Sequence, residues 1–181
     1  PGIICCSITG YGSTGPFKGR PAFDIAVQAR GGIMSFTGEP GRQPVRAGVP
    51  MGDLGGGLFG LHGILAALYQ REKTGRGQKI DVSMLDCQIA LLTYRGQYYL
   101  TAGEIAESLG TEHASVVPSR GFKTKTINIV IDCNLQRIFD EFCTLAGVPE
   151  IARDPRFNSR DNRFIHRKEL YDLLEKLFMT K

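Results

Sequence analysis

The 181-residue sequence predicts an α/β unit followed by a smaller α+β unit. Three observations carry that prediction. Two strand-length apolar runs, IICCSITG (3–10) and QKIDVSML (78–85), each lie ahead of helical patterns, giving the strand–helix–strand–helix order of α/β proteins. Nineteen of the 23 glycines fall in residues 1–100, where they punctuate loops between those elements. After Thr101 the texture turns polar, then settles into a strand pattern and two amphipathic helices. The division is therefore 1–100, a linker over 101–117, and a second unit over 118–181.

The elements follow in order. The first strand closes on Gly10 and gives way to a Gly- and Pro-rich loop, YGSTGPFKGRP. A short helix is expected over Asp24–Arg30, stopped by Gly31 and Gly32. Residues 37–52, dense in Gly and Pro, read as irregular. A long helix is expected from about Leu54 to Lys73, with Leu54, Leu58, Leu61, Leu65 and Leu68 as one apolar stripe and most of its circumference buried. Gly75 is a natural stop. The second strand alternates Ile80, Val82 and Met84 with polar residues, and a further helix is expected from Asp86 to about Leu100. In the second unit GFKTKTINIVIDC suggests one or two strands. Ile138, Phe142 and Leu145 line one helix, and Leu170, Leu173, Leu174 and Leu177 the other.

Composition narrows the function classes. Hydrophobic residues make up 42% and charged residues 22%, an ordinary globular balance with enough apolar material for a core. No apolar run is expected to approach the roughly 18 residues of a membrane span, and no signal peptide is visible. Opening at PGIICCSITG, the chain reads as a segment of a longer polypeptide. The five cysteines form no C-x-x-C pair, which argues against a disulfide scaffold or zinc site and for a reducing, intracellular compartment. The net charge of +4 sits wholly in the glycine-rich part. Basic residues among glycines suit a polyanionic small molecule; the dense basic stripe of a nucleic-acid surface is missing.

Two motifs are decoys. GYGSTG (10–15) matches the dinucleotide fingerprint, but Pro16 and FKGRP prevent a regular helix from opening there. The loop is either structural or approaches a ligand with its amides, Lys18 and Arg20 meeting phosphates. The triple glycine after Asp53 is no phosphate loop, since no G-K-[ST] follows. His62 has no second ligand at helical spacing, His113 and His166 have no identifiable Ser or Cys partner for nucleophilic catalysis, and no metal site is expected.

Asp53 remains. As a helix N-cap it would need no glycines behind it, yet Gly55, Gly56 and Gly57 follow at a cost of about 1 kcal/mol each relative to alanine. Glycine permits close approach of another molecule to the backbone. A carboxylate at a helix start, where the helix's positive end favours negative charge and amides could hold an oxyanion, suits a nucleophile.

These residues bring a family into view. SITGYGSTGPFKGRPAFDIAVQARGG (7–32), GRQPVRAGVPMGDLGGG (41–57) and REKTGRGQKIDVSMLD (71–86) closely resemble the class III, formyl-CoA transferase-like CoA-transferases. The resemblance continues more weakly through 110–125 and 153–170, where it is nearest to dicarboxylate-type members such as succinyl-CoA:glutarate transferases. It implies a Rossmann-like large domain, a small α+β domain and an interlocked homodimer. It implies transfer of CoA from an acyl-CoA to a free carboxylic acid, with Asp53 as the nucleophile and coenzyme A as co-substrate. No other cofactor is implied. The segment from Gly10 to Phe23 would face CoA, with Gly10, Tyr11, Gly12, Arg20 and Phe23, together with Gly55 and Gly56, as candidate contacts. Family racemases carry a histidine where Phe23 stands, and a phenyl ring cannot carry a proton. The alternatives are a racemase or epimerase of the same family and a non-catalytic acyl-CoA-binding protein. An intracellular, cytoplasmic location is expected, or the mitochondrial matrix in a eukaryote, with no nucleic-acid or membrane partner. Where relatives place an Asp-Gly turn, Thr126-Ile127 leaves the second unit's hairpin open.

Overall fold

The computed structural model describes residues 1–180. Contacts divide the chain into two compact units, Pro1–Ser108 and the residues from Leu109 onward. That division falls inside the stretch 101–117.

In the first unit, β1 (Cys5–Thr9) pairs in parallel with β2 (Lys79–Ser83), Cys5 facing Lys79 and Thr9 facing Ser83. Parallel strands need a long crossover. Here it contains α1 (Asp24–Arg30), a 3₁₀ turn (Ile33–Phe36) and the 24-residue α2 (Met51–Thr74). After β2 come α3 (Met84–Ala90) and α4 (Tyr94–Ala102). The single helix expected over 86–100 is thus two. Between them Thr93 takes a positive φ of 52°, a conformation unfavourable to a β-branched residue, and the helix axis breaks there.

Two expectations about α2 are corrected. It begins three residues earlier than its sequence pattern indicates, behind an N-cap residue, Pro50, that offers no side-chain cap. Its buried side is also different: Gly52, Gly55, Gly56, Gly60 and Ala67 face inward, whereas Leu54, Leu58, Leu61 and Leu65 are exposed. The reason is distance. A β-carbon at Gly56 or Gly60 would lie 3.1 or 3.0 Å from Ile8, and one at Gly63 2.8 Å from Ile80. Backbone this close to the sheet leaves no room for leucine, so the leucines occupy the other side. By length and composition alone α2 is also apolar enough to cross a membrane, which corrects the expectation that no run approaches that length.

In the second unit β3 (Ser119–Lys123) and β4 (Asn128–Asp132) form an antiparallel hairpin. The turn closes without glycine: the Thr124 amide and hydroxyl both donate to the Ile127 carbonyl, at 3.1 and 2.7 Å. Four helices follow, α5 (Gln136–Ala146), α6 (Pro149–Arg153), α7 (Arg160–Ile165) and α8 (Arg167–Phe178). Their core joins Phe122, Phe139, Cys143, Phe157, Leu170, Leu174 and Phe178. Leu145, expected on the buried stripe of α5, is exposed; Phe139 and Cys143 take the inner positions. Arg163 is fully buried in this core, donating to the carbonyls of Val117 (2.8 Å) and Phe157 (3.1 Å) and to Gln136 Oε1 (2.6 Å).

Candidate active site

Asp53 is the third residue of α2 and its side chain is exposed. The first-turn amides of a helix have no partners within the helix. Here Met51 donates to the Val49 carbonyl at 2.8 Å, Gly52 donates to Asp24 Oδ1 at 2.8 Å, and Leu54 donates to the Pro50 carbonyl at 2.9 Å. The Asp53 amide makes no hydrogen bond among the described residues. From Gly55 onward the amides lie inside regular helix, where i→i−4 bonding uses them. Of the amides at this helix start that could meet an oxyanion, the one left open is that of Asp53 itself.

The three glycines divide by what surrounds them. A β-carbon on Gly55 would meet Leu91 at 3.0 Å, and one on Gly56 would meet Ile8 at 3.1 Å and Met84 at 3.2 Å. Nothing lies within 4 Å of the corresponding point at Gly57. Gly55 and Gly56 are therefore buried packing positions, and the open backbone beside Asp53 is at Gly57. Gly57, noted in the sequence with its two neighbours, was left out of the candidate contacts, which took Gly55 and Gly56 instead.

Asp24 and Gln28 were also missed. Both are buried on α1, one turn apart. Asp24 Oδ2 accepts from Gln28 Nε2 at 2.8 Å, and Gln28 Oε1 accepts from the Ala47 amide at 2.9 Å. The signal was present as two polar residues at i and i+4 within DIAVQ, a helix otherwise apolar on that side.

The loop candidates form a neighbouring group. Gly10 is buried, its carbonyl accepts from the Leu85 amide at 3.1 Å, and a β-carbon there would meet that of Ala22. Gly12 has a φ of 78°, which favours glycine. Its neighbour Ser13 donates its amide (2.8 Å) and hydroxyl (2.5 Å) to Asp81 Oδ2. These bonds hold the Asp81 carboxyl below its ordinary value, with Lys79 adding to the effect. Tyr11 packs against Phe17 with ring centroids 5.4 Å apart, and the Arg30 and Arg20 guanidinium groups lie 4.6 and 5.2 Å from the Phe17 ring. Arg20 is exposed, and Phe23 is 81% exposed at the N-cap of α1. Phe23 and Asp53 each adjoin one end of the Asp24–Gly52 hydrogen bond. No described contact joins Tyr11, Gly12 or Arg20 directly to Asp53.

Among the described residues no cluster of His, Cys, Asp and Glu is placed to hold a metal ion. The five cysteines are free, Cys5 exposed and Cys87, Cys133 and Cys143 buried.

A family model described as CoA-transferase family III matches residues 1–181. Succinyl-CoA:glutarate CoA-transferase of Mus musculus is 41% identical over 178 residues, 98% of this chain and 41% of that protein. Acetyl-CoA:oxalate CoA-transferase of Acetobacter aceti is 39% identical over 177 residues, 97% of this chain and 46% of the relative. Among solved structures, a CAIB/BAIF family protein from Brucella suis superposes with a TM-score of 0.82 at 36% identity, covering 99% of this chain and 47% of that one. A hypothetical protein from Mycobacterium tuberculosis gives 0.86 at 28% identity over 99% of this chain and 47% of that one. The chain spans less than half the length of the curated relatives it matches.

Proposed function

Because the chain belongs to CoA-transferase family III, we propose that its parent protein moves CoA from an acyl-CoA to a free dicarboxylic acid, with Asp53 as the nucleophile. The observation that carries this reading is the exposed Asp53 carboxylate on the first turn of α2, with an unbonded amide at the same residue and open space beside Gly57. Succinyl-CoA is the proposed donor and a glutarate-like acid the acceptor, supported by the names of the similar transferases.

The chemistry follows from what a carboxylate can do to a thioester. Asp53 attacks the thioester carbonyl; the C–S bond breaks and CoA leaves as thiolate, leaving a mixed anhydride. The thiolate then attacks the Asp53 carbonyl of that anhydride, releasing the donor acid and forming an aspartyl-CoA thioester. The acceptor carboxylate attacks this thioester, expelling thiolate and forming a second anhydride. Thiolate attack on its acceptor-derived carbonyl yields the new acyl-CoA and regenerates the Asp53 carboxylate. Covalent catalysis of this kind divides one difficult exchange into easier steps. A thioester is consumed and a thioester made, so the exchange is nearly isoenergetic and needs neither ATP nor a metal or redox cofactor. Phe23, at the position flanking Asp24, offers no group to carry a proton, which favours transfer over racemisation.

The remainder of the reading is proposed with it. The first unit forms part of a Rossmann-like large domain with the Gly10–Phe23 loop toward CoA and Arg20 toward its phosphates. The second begins a small α+β domain, and the parent is an intracellular, interlocked homodimer. The direct test supplies the full-length parent with succinyl-CoA and glutarate and separates the acyl-CoAs chromatographically. Glutaryl-CoA should form, and Asp53→Asn should slow its formation by at least about 10³-fold, as loss of a nucleophile does elsewhere. Undiminished turnover in Asp53→Asn would overturn the assignment.

A further inference from the structure

The first turn of α2 is not capped by its own sequence. A helix start is ordinarily secured by a Ser, Thr, Asp or Asn at the N-cap; here that residue is Pro50, with no side-chain cap. Asp24 takes over the task from another helix, accepting the Gly52 amide at 2.8 Å. Burying a carboxylate is costly unless its oxygens are hydrogen-bonded, and Asp24 is only 9% exposed. Its second oxygen accepts from Gln28, which is fully buried. Gln28 in turn accepts from the Ala47 amide at 2.9 Å and donates to the Val49 carbonyl at 3.4 Å. One turn of α1 thereby holds residues 47, 49 and 52, and the next residue is Asp53. Space reinforces the attachment: a β-carbon at Gly52 would stand 3.2 Å from both Asp24 Oδ1 and Val27 Cγ1, so the approach of α1 to α2 depends on glycine there.

We infer that Asp24 and Gln28 are positioning residues for the reaction at Asp53: they fix the backbone from Ala47 to Gly52 and so set where the Asp53 carboxylate stands. Neither touches the reacting atoms. The inference rests on the proposed nucleophilic role of Asp53. A displacement of about 1 Å in a reacting group can cost on the order of 10²-fold in rate, so the effect belongs in the chemical step and not in acyl-CoA binding.

The test uses the full-length parent, quenched at short times after mixing with succinyl-CoA, and reads the rate of covalent adduct formation at residue 53 by mass spectrometry. Steady-state kcat and KM, and thermal melting, are measured beside it. Asp24→Ala should lower both the adduct rate and kcat by on the order of 10²-fold in folded protein while KM stays within about threefold. Asp24→Asn keeps an oxygen for the Gly52 amide and should recover most of the rate. A wild-type adduct rate in folded Asp24→Ala, or a change confined to KM, would overturn the inference. Should Asp24→Ala fail to fold, Gln28→Met decides: it keeps the side-chain volume but releases Ala47, and should slow the adduct by about tenfold; an unchanged rate would count against positioning. Wild-type protein that turns over without any adduct at Asp53 would remove the nucleophile assignment itself, and this inference with it. That outcome is read before any variant is made, so the two failures stay distinct.

Discussion

At Arg163 a full positive charge lies in the core of the second unit with no carboxylate partner among the described residues, held by two carbonyls and the Gln136 amide oxygen and stacked 4.4 Å from the Phe139 ring. Arg163→Ala would leave those acceptors unbonded and open a cavity, and should destabilise the protein by roughly 3–5 kcal/mol; thermal or urea unfolding measures it. A loss below 1 kcal/mol would mean the carbonyls find other donors. A second residue-scale effect is set by pH. The Asp81 carboxyl is held below its ordinary value of 3.8 by the Ser13 hydroxyl and amide. A depressed carboxyl stabilises the fold above its unfolded value, and that contribution is lost as pH falls through the lower, folded value. The tie between β2 and the Gly12–Ser13 loop should therefore hold at neutral pH and release only below about pH 4. Protection of the Ser13 amide against hydrogen exchange, taken relative to its intrinsic rate at each pH, should fall there, and in Asp81→Ala it should be low across the whole range. Neither arrangement was legible in the sequence, because Arg163 meets Gln136 and Val117 27 and 46 residues away, and Asp81 meets Ser13 68 residues away.

The elements themselves were more legible than their buried faces. The two parallel strands, α1 and the two long helices of the second unit follow the periodicities of their residues. What misled was α2, where five leucines at helical spacing suggested the buried stripe and the glycines suggested open backbone. Packing reversed both for most of the run, since only glycine admits the close approach of α2 to Ile8 and Ile80. The start of α2 was misplaced for a related reason, its cap coming from Asp24 on another helix. Alanine substitutions separate the two kinds of glycine. Gly57→Ala enters open space and should stabilise the helix by up to about 1 kcal/mol. Gly63→Ala places a methyl 2.8 Å from Ile80, and its melting temperature should fall despite the better helix propensity. If both rise, α2 has slack against the sheet that the structure does not show.

For the whole molecule, the site candidate was legible and its support was not. Asp53 stands out because a lone carboxylate precedes three glycines, a local pattern; the residues that hold it are local to α1 and met only after folding. The activity proposed for the parent rests on one claim about Asp53, and intact-protein mass spectrometry of the full-length parent tests it most directly. Mixed with succinyl-CoA and quenched within seconds, wild-type protein should carry an acyl or CoA adduct that is absent from Asp53→Ala. The same adduct in Asp53→Ala, or none in wild type despite turnover and CoA binding, would contradict the account.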